Sequence, residues 1–399
     1  VADALTVEAI PKTDEQGNEI DFKTLKSLNI VMQLLGRVSI ISGTLLVSLV
    51  NLVMFSDSSE MSENEKIITY GKIYLYSLIV PAISIIGVLF SYINSKSRLN
   101  ELVKNGLAFE KAYNLIYPIS KTTKPNPSII IGSLIFVIFT LSIGFSKIPF
   151  SQEIVFIGSL SIIVYLLITL SSQLDAVSKR MLIGTAIVIF VFRAMPGVGP
   201  GASWFEIDIL KFDQEFLSFL GLIASILTIF GIFVLRPLME NSSMSRLIVI
   251  LSIAGSIFLL PSLGMFYGIH EITSKITNGI VDARFIAIFN TALESPLGQV
   301  SMIPILAWIA QSAPNHLKAT FFAVLASFTN LALSASNLGT KYLNQIFVVT
   351  REVKSKSGEV TTQADYSELG ILLITVLLLT LILPILATIF IRKLKLIAY

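Results

Sequence analysis

Between Glu368 and Arg392 the chain runs LGILLITVLLLTLILPILATIFI, without one charged residue. A helix crossing the hydrocarbon of a bilayer needs about 20 mainly apolar residues, and this run supplies them. Inside lipid every backbone N–H and C=O must find a partner within the protein, so such a segment crosses as a helix. The pattern repeats. Apolar runs and charge spacing predict ten spans, at residues 26–55, 68–94, 128–146, 153–173, 181–205, 214–237, 245–268, 282–310, 317–346 and 368–391. The span 181–205 is irregular at its end. The opening VADALTVEAI is too short to cross, and reads as the tail of a span that starts upstream of Val1.

Composition closes off the soluble alternatives. Hydrophobic residues make up 54% of the chain and charged residues 14%, with a mean hydropathy of +0.80. A soluble domain carries roughly a quarter charged residues, and this chain lacks enough of them to cover a water-facing surface. The expected fold class is therefore an all-α polytopic membrane protein.

Several chemistries have no support. With no cysteine there are no disulfides and no thiolate metal sites. His270 and His316 fall in separate expected loops, so no histidine metal cluster or triad is expected, and no cofactor. Walker A, H-E-x-x-H and G-x-S-x-G motifs are absent from the sequence. No nucleic-acid partner and no enzyme activity are expected, and no cleavable signal pattern stands at the N-terminus.

Lysines and arginines orient the chain, because cytoplasmic loops are enriched in them. With segment 11–26 cytoplasmic, that side collects Lys12, Lys23 and Lys26, the cluster from Lys96 to Lys124, Lys179, Arg180, Arg236, Arg246, Lys318, Arg392, Lys393 and Lys395. The other side keeps Lys66, Lys147, Lys211, Lys275, Arg351, Lys354 and Lys356. The alternation supports the span assignment and puts the C-terminus in the cytoplasm, with the protein in the plasma (inner) membrane. Between spans, 95–127 suits an amphipathic helix at Leu99, Leu102, Val103, Leu115 and Ile116. VVTREVKSKSGEVTTQADY suits an external hairpin about Ser357-Gly358.

Charges at membrane depth are costly and point to function. Arg37 lies about 16 Å beyond Lys26, and Arg193 about 20 Å beyond Arg180, at 1.5 Å per helical residue. Thr291, Glu294, Gly298 and Ser301 share a helix face, on a segment that Pro296 and Pro304 should bend. Thr320, Ser327, Asn330, Ser334, Asn337 and Lys341 form a second polar stripe. Stripes of small and hydroxyl residues also serve close helix packing. Two arginines favour an anionic ligand, since guanidinium grips carboxylates bidentately. A desolvated Glu294 or Asp3 would exchange a proton.

The stretch VFRAMPGVGPGASWF offers Gly197-x-Gly199-x-x-Ala202, which fits a dinucleotide-binding fingerprint taken alone. It follows a membrane span and contains Pro200. It is better read as a break of the helix at Pro196, Gly197, Gly199, Pro200 and Gly201, a hinge or cavity wall.

These phrases resemble the folate–biopterin transporter family of the major facilitator superfamily. FRAMPGVGPGASWFEIDILKFDQEFLSFLG is similar to the family's seventh span, the loop after it and the start of the eighth. GQVSMIPILAWIAQSAPNHLKATFFAVLASFTNLALSASNLG is similar to its tenth and eleventh spans, through Gln299, Met302, Pro304, Ala310, Pro314, Ala319, Thr320, Phe322, Ala323, Ser327, Asn330 and Gly339. VADALTVEA resembles the fourth span, with Asp3 and Glu8 at its acids, and LLGRVSIISGTLL resembles the fifth. GIFVLRPLMENSSMSR resembles a degenerate copy of the superfamily's loop motif without its aspartate.

The resemblance implies a two-bundle fold with an incomplete N-terminal bundle, the first three spans being absent, and two extra helices between the bundles. The implied division is 1–94 for the N-terminal remnant, 95–127 for a cytoplasmic linker, 128–173 for the inserted pair and 174–399 for a six-helix C-terminal bundle. It implies alternating-access transport of a folate, biopterin or related pteridine, coupled to protons. Arg37, Arg193, Glu294, Gln299, Ser327, Asn330 and Trp204 are the expected substrate contacts, with Asp3 and Glu294 for protons. Phe205 and Trp308 are further stacking candidates. Pro296 and Pro304 join the hinge set. A muropeptide, nucleotide-like or amino-acid-derived cargo, a membrane scaffold, and an enzyme acting on lipid head groups are the competing readings.

Overall fold

The computed structural model describes residues 20–54, 62–117, 127–146, 148–172, 174–312, 318–355 and 359–396. The chain divides into two compact units, one of Val1–Ser42 with Asn126–Tyr399 and the other of Gly43–Pro125. The division falls inside the first helix, α1 (Phe22–Met54). Asp3 and the opening apolar stretch lie outside the described residues.

The smaller unit holds α2 (Glu63–Ser77), α3 (Ile79–Lys104) and α4 (Phe109–Ile116). A capping box starts α2, with Ser62 and Glu65 pairing reciprocally. A turn at Gly106, with φ +90°, reverses the chain after α3. The amphipathic stretch expected over 95–127 thus consists of the end of α3, this turn and α4. Leu99 and Ala112 are its buried residues.

In the larger unit, α5 (Pro127–Gly144), α6 (Ser151–Ser171), α7 (Ala176–Arg193), α8 (Pro200–Asp208) and α9 (Gln214–Val234) follow in order. Then come α10 (Arg236–Asn241), α11 (Met244–Phe266), α12 (Ile269–Ile276), α13 (Ala283–Ser312), α14 (Lys318–Ile346) and α15 (Leu369–Lys393). Short connections force sequential helices to run antiparallel, and polar caps end them cleanly. The Asp175 carboxylate accepts from the N–H groups of Val177 and Ser178 to start α7. Asp213 accepts from Phe216 to start α9, and Asp282 from Phe285 to start α13. Asp213 also pairs with Arg284 at 2.6 Å, which joins the neighbouring ends of α9 and α13.

Each expected span has a helix at its place. Among the described residues, seven segments are long and apolar enough to cross a membrane: 23–47, 67–104, 151–171, 216–234, 244–266, 320–346 and 369–393. The chain is an all-α polytopic membrane protein. Helices α7 and α13 fall outside those seven, and they are the ones that carry Arg193 and Glu294.

The main core joins α6, α7, α11, α13, α14 and α15 through Leu170, Ile189, Ile248, Ile309, Leu325 and Ile391. A second core binds the first half of α1 to the bundle, with Ile30 and Leu34 against Ile232, Met239, Val300 and Ile303. A third core gathers Phe205 and Leu372 around Phe266 and Tyr366. The hairpin expected after α14 forms: β1 (Val353–Lys354) pairs antiparallel with β2 (Val360–Thr362), and Thr350 bridges Asp365. Ser357 and Gly358 lie outside the described residues.

Candidate functional site

The helix break is where the sequence puts it. α7 ends at Arg193 and α8 begins at Pro200, so the backbone between is irregular. Unpaired backbone groups at membrane depth are tolerated only when protein or water satisfies them. One face of α14 does so. The Ser336 hydroxyl donates to the Met195 carbonyl at 2.6 Å. Gly197 N–H donates to Thr340 Oγ1 at 2.9 Å, and Asn344 Nδ2 donates to the Val198 carbonyl at 3.0 Å. The three side chains recur every four residues, one helical face. They escaped the sequence reading, although that spacing was visible in it.

Gly199 completes the joint. Its φ of +82° with ψ of −167° is backbone that L side chains rarely adopt. Gly201 sits so close to Val349 that a Cβ would reach its side chain at 2.9 Å. Pro200 stands in the first turn of α8, where its missing N–H costs nothing. Pro196 packs over Gly339, whose added Cβ would lie 3.2 Å from the proline ring.

Arg193, at the N-terminal side of this break, is half-buried. Its Nη1 lies 2.7 Å from Met302 Sδ on α13. Its Nε is buried with no hydrogen-bond partner, and among the described residues no carboxylate pairs with it. The charges of Arg37 and Arg193 act on one another. Helices α1, α7 and α13 therefore converge here, with Gln299 one turn before Met302 and Gln33 one turn before Arg37. Gln299 Oε1 and Gln33 Nε2 are also buried without partners. Gln33 was missed, though it shares a face with Arg37 at i, i+4 spacing.

Further along α13, Asn290 Nδ2 reaches Glu294 Oε2 at 3.3 Å. Asn290 Oδ1 and the Ser295 hydroxyl are buried and unpaired. Pro296 packs against Gly231 of α9, and Thr228 donates to the Ser295 carbonyl at 3.0 Å. The helix runs on through Pro296 and Pro304.

Ser327 and Asn330 lie on α14 and are exposed, as are Ser334 and Asn337. Among the described residues no hydrogen bond joins Ser327 or Asn330 to Arg193. Their helix buries its opposite side through Phe321, Leu325 and Phe328. An exposed polar seam at this depth needs water or a polar partner. Trp204 is half-buried on α8. Phe205 is taken up by the third core, with ring centroids 5.6 Å from Phe266 and 5.8 Å from Tyr366. Trp308 packs into the apolar clusters of α6, α7 and α14.

Among the described residues no group of acids or histidines has the geometry to hold a metal. The arrangement is instead suited to noncovalent recognition: the Arg193 guanidinium, an unpaired amide nitrogen of Gln33, an unpaired amide oxygen of Gln299 and the Glu294 carboxylate lie on three helices.

A folate-biopterin transporter of Synechocystis sp. is 21% identical over 158 residues, which covers 40% of this chain and 31% of that protein. The chain thus spans about a third of the length of that curated relative. No solved structure matches the chain. The BT1 family matches residues 42–398, a stretch that includes the helix break, Arg193, Glu294 and the seam of α14. The chain belongs to the BT1 family of membrane transporters.

Proposed function

We propose that this protein carries an anionic solute, of the folate or biopterin class, across a membrane by alternating access. The observation that carries the reading is Arg193. A guanidinium with a buried, unpaired Nε and no carboxylate partner among the described residues is held at net cost unless a ligand completes it. Arg37 adds a second positive charge, and Gln299 and Gln33 offer amides to a polar ring edge. A pteridine bearing a carboxylate suits such a site. The relative named above supplies the cargo class.

In this reading Glu294 and Asp3 exchange protons, and Ser327, Asn330 and Trp204 wet or flank the path. The two-bundle architecture would rock about the midplane, as secondary transporters do. The helix pair 127–144 and 151–171 would be an addition to the bundle, and 174–399 its six-helix half. The protein would sit in the plasma membrane with its C-terminus in the cytoplasm.

The test is uptake of labelled folate and biopterin into proteoliposomes holding the full chain, with and without a proton gradient. Uptake that a gradient accelerates is the expected result. No uptake of either pteridine under both conditions overturns the cargo assignment. Uptake of a muropeptide or nucleotide-like anion in its place would keep Arg193 as anion receptor and change the cargo.

A further inference from the structure

A groove of about 730 Å³ lies between α7 and α15. Phe190, Ala194, Leu386, Ala387 and Phe390 line it, and Lys393 closes one end. Its origin is local. Pro384 inside α15 has no N–H to give the preceding turn, and the Thr388 hydroxyl donates back to the Pro384 carbonyl at 2.8 Å. Ala194 and Ala387 leave the space that larger side chains would fill. Leu386 and Phe390 are more than half exposed, so the groove opens to the lipid side of the bundle.

Its one charged lining residue is not spent elsewhere. Among the described residues Lys393 pairs with no carboxylate, nor do Arg392 and Lys395 beside it. Asp175, at the start of α7, is committed to the N–H groups of Val177 and Ser178. A lysine at the end of an apolar slot between antiparallel membrane helices matches one ligand chemistry: a hydrocarbon chain ending in an anion.

We propose that this groove binds an acyl chain of an anionic phospholipid, with the headgroup phosphate on Lys393. The loop charges assign this membrane face to the cytoplasm, where basic residues next to a membrane helix attract anionic lipids. A second copy of the chain fits less well. Helices that associate in lipid present small residues to one another, whereas this wall carries Leu383, Leu386 and Phe390. The inference stands apart from the cargo assignment.

The experiment uses the full chain in nanodiscs of equal phosphatidylglycerol and phosphatidylcholine. The protein is released into mild detergent and its retained lipid read by native mass spectrometry. Wild type should retain phosphatidylglycerol severalfold over phosphatidylcholine. Lys393→Gln should bring that ratio near one, and Ala387→Phe should lower both lipids by filling the slot. Lys275→Gln, on the opposite membrane face, should leave the ratio unchanged. Equal retention in wild type, or an unaltered ratio in Lys393→Gln, overturns the proposal. So does a two-chain mass that Ala387→Phe abolishes. Lys393 is exposed, so its variant decides the matter even if Ala387→Phe folds poorly.

Discussion

Lys341 Nζ lies 2.8 Å from Glu153 Oε1, which joins the C-terminal part of α14 to the first turn of α6. Tyr342 donates its hydroxyl to the same carboxylate oxygen at 2.7 Å. Lys341 belongs by spacing to the polar seam of α14, but its charge is committed to a neighbouring helix. Below this pair, α6 and α14 pack through Ile163, Phe328 and Leu331. α6 is thus held to α14 by an ion pair at one end and by apolar packing along its length.

Breaking that pair one partner at a time should destabilise the protein, because the other charge is left facing a helix interface. Lys341→Glu and Glu153→Lys should each lower the detergent melting temperature. The charge-swapped double variant should recover most of the loss. A double variant no better than the worse single one would mean that the pair does not hold α6 in place.

The joint between α7 and α8 should depend on its three side chains. Ser336→Ala, Thr340→Val and Asn344→Leu each leave a backbone group of the break without its partner. Each should cost about 1–3 kcal/mol, the usual penalty for an unsatisfied buried group. Gly199→Ala should cost at least as much, since its backbone region is strained for any L side chain and the Asn344 amide blocks a Cβ. Thermal unfolding in detergent measures these, and unchanged melting in all four variants would refute the stitched joint.

Arg193 and Glu294 should fail in different ways. Arg193→Ala should abolish uptake with folding intact, while Arg193→Lys should retain a fraction, keeping charge but losing the planar fork. Glu294→Gln should keep exchange of labelled for unlabelled solute and lose acceleration by a proton gradient. Gradient-driven uptake that survives Glu294→Gln would remove Glu294 from the coupling step.

Stability should also respond to pH through Asp208. Arg351 donates to both its carboxylate oxygens, at 2.9 and 2.7 Å, and Tyr366 donates at 2.7 Å. These bonds, Arg351 first, hold the Asp208 carboxyl below its ordinary value. A depressed acid stabilises the fold above its unfolded pKa of about 4, and the effect is lost as pH falls through the depressed value. Burial, and then the bond to Asp208, pushes the Tyr366 phenol up to about 12. A raised group stabilises below its unfolded pKa of about 10 and loses that as pH climbs through about 12. The melting gap between wild type and Asp208→Asn should therefore narrow below about pH 4. The gap to Tyr366→Phe should narrow above about pH 10. Gaps that hold constant across the titration would show that the hairpin is not tied down by this cluster.

How far the sequence reaches can be judged residue by residue. Charge-free runs such as the one before Arg392 had to become helices, because lipid offers backbone groups no partner. A break near Pro196 to Gly201 was equally legible, since proline and glycine act on their own backbone, although Pro200 and Gly201 open the next helix. Counting residues along a helix also set Arg37 and Arg193 well inside their expected spans. Asp208's partners did not follow from any count: they come from a hairpin more than a hundred residues later.

Tertiary structure decided which faces meet. Lipid tails are as apolar as leucine side chains, so hydropathy marks a membrane helix without marking its packed side. Nothing in the order of residues separates Ser336, Thr340 and Asn344, which close the helix break, from Ser327, Asn330 and Ser334 on the open seam of the same helix. Only the approach of α7 to α14 does. In the same way Phe205 and Trp308, ring platforms by composition, became core once neighbouring helices closed over them. The sequence by itself determined the apolar helices and the helix break, which are local consequences of backbone chemistry in lipid. The packed structure determined which polar groups are spent on the fold and which, like Arg193 Nε, stay unpaired.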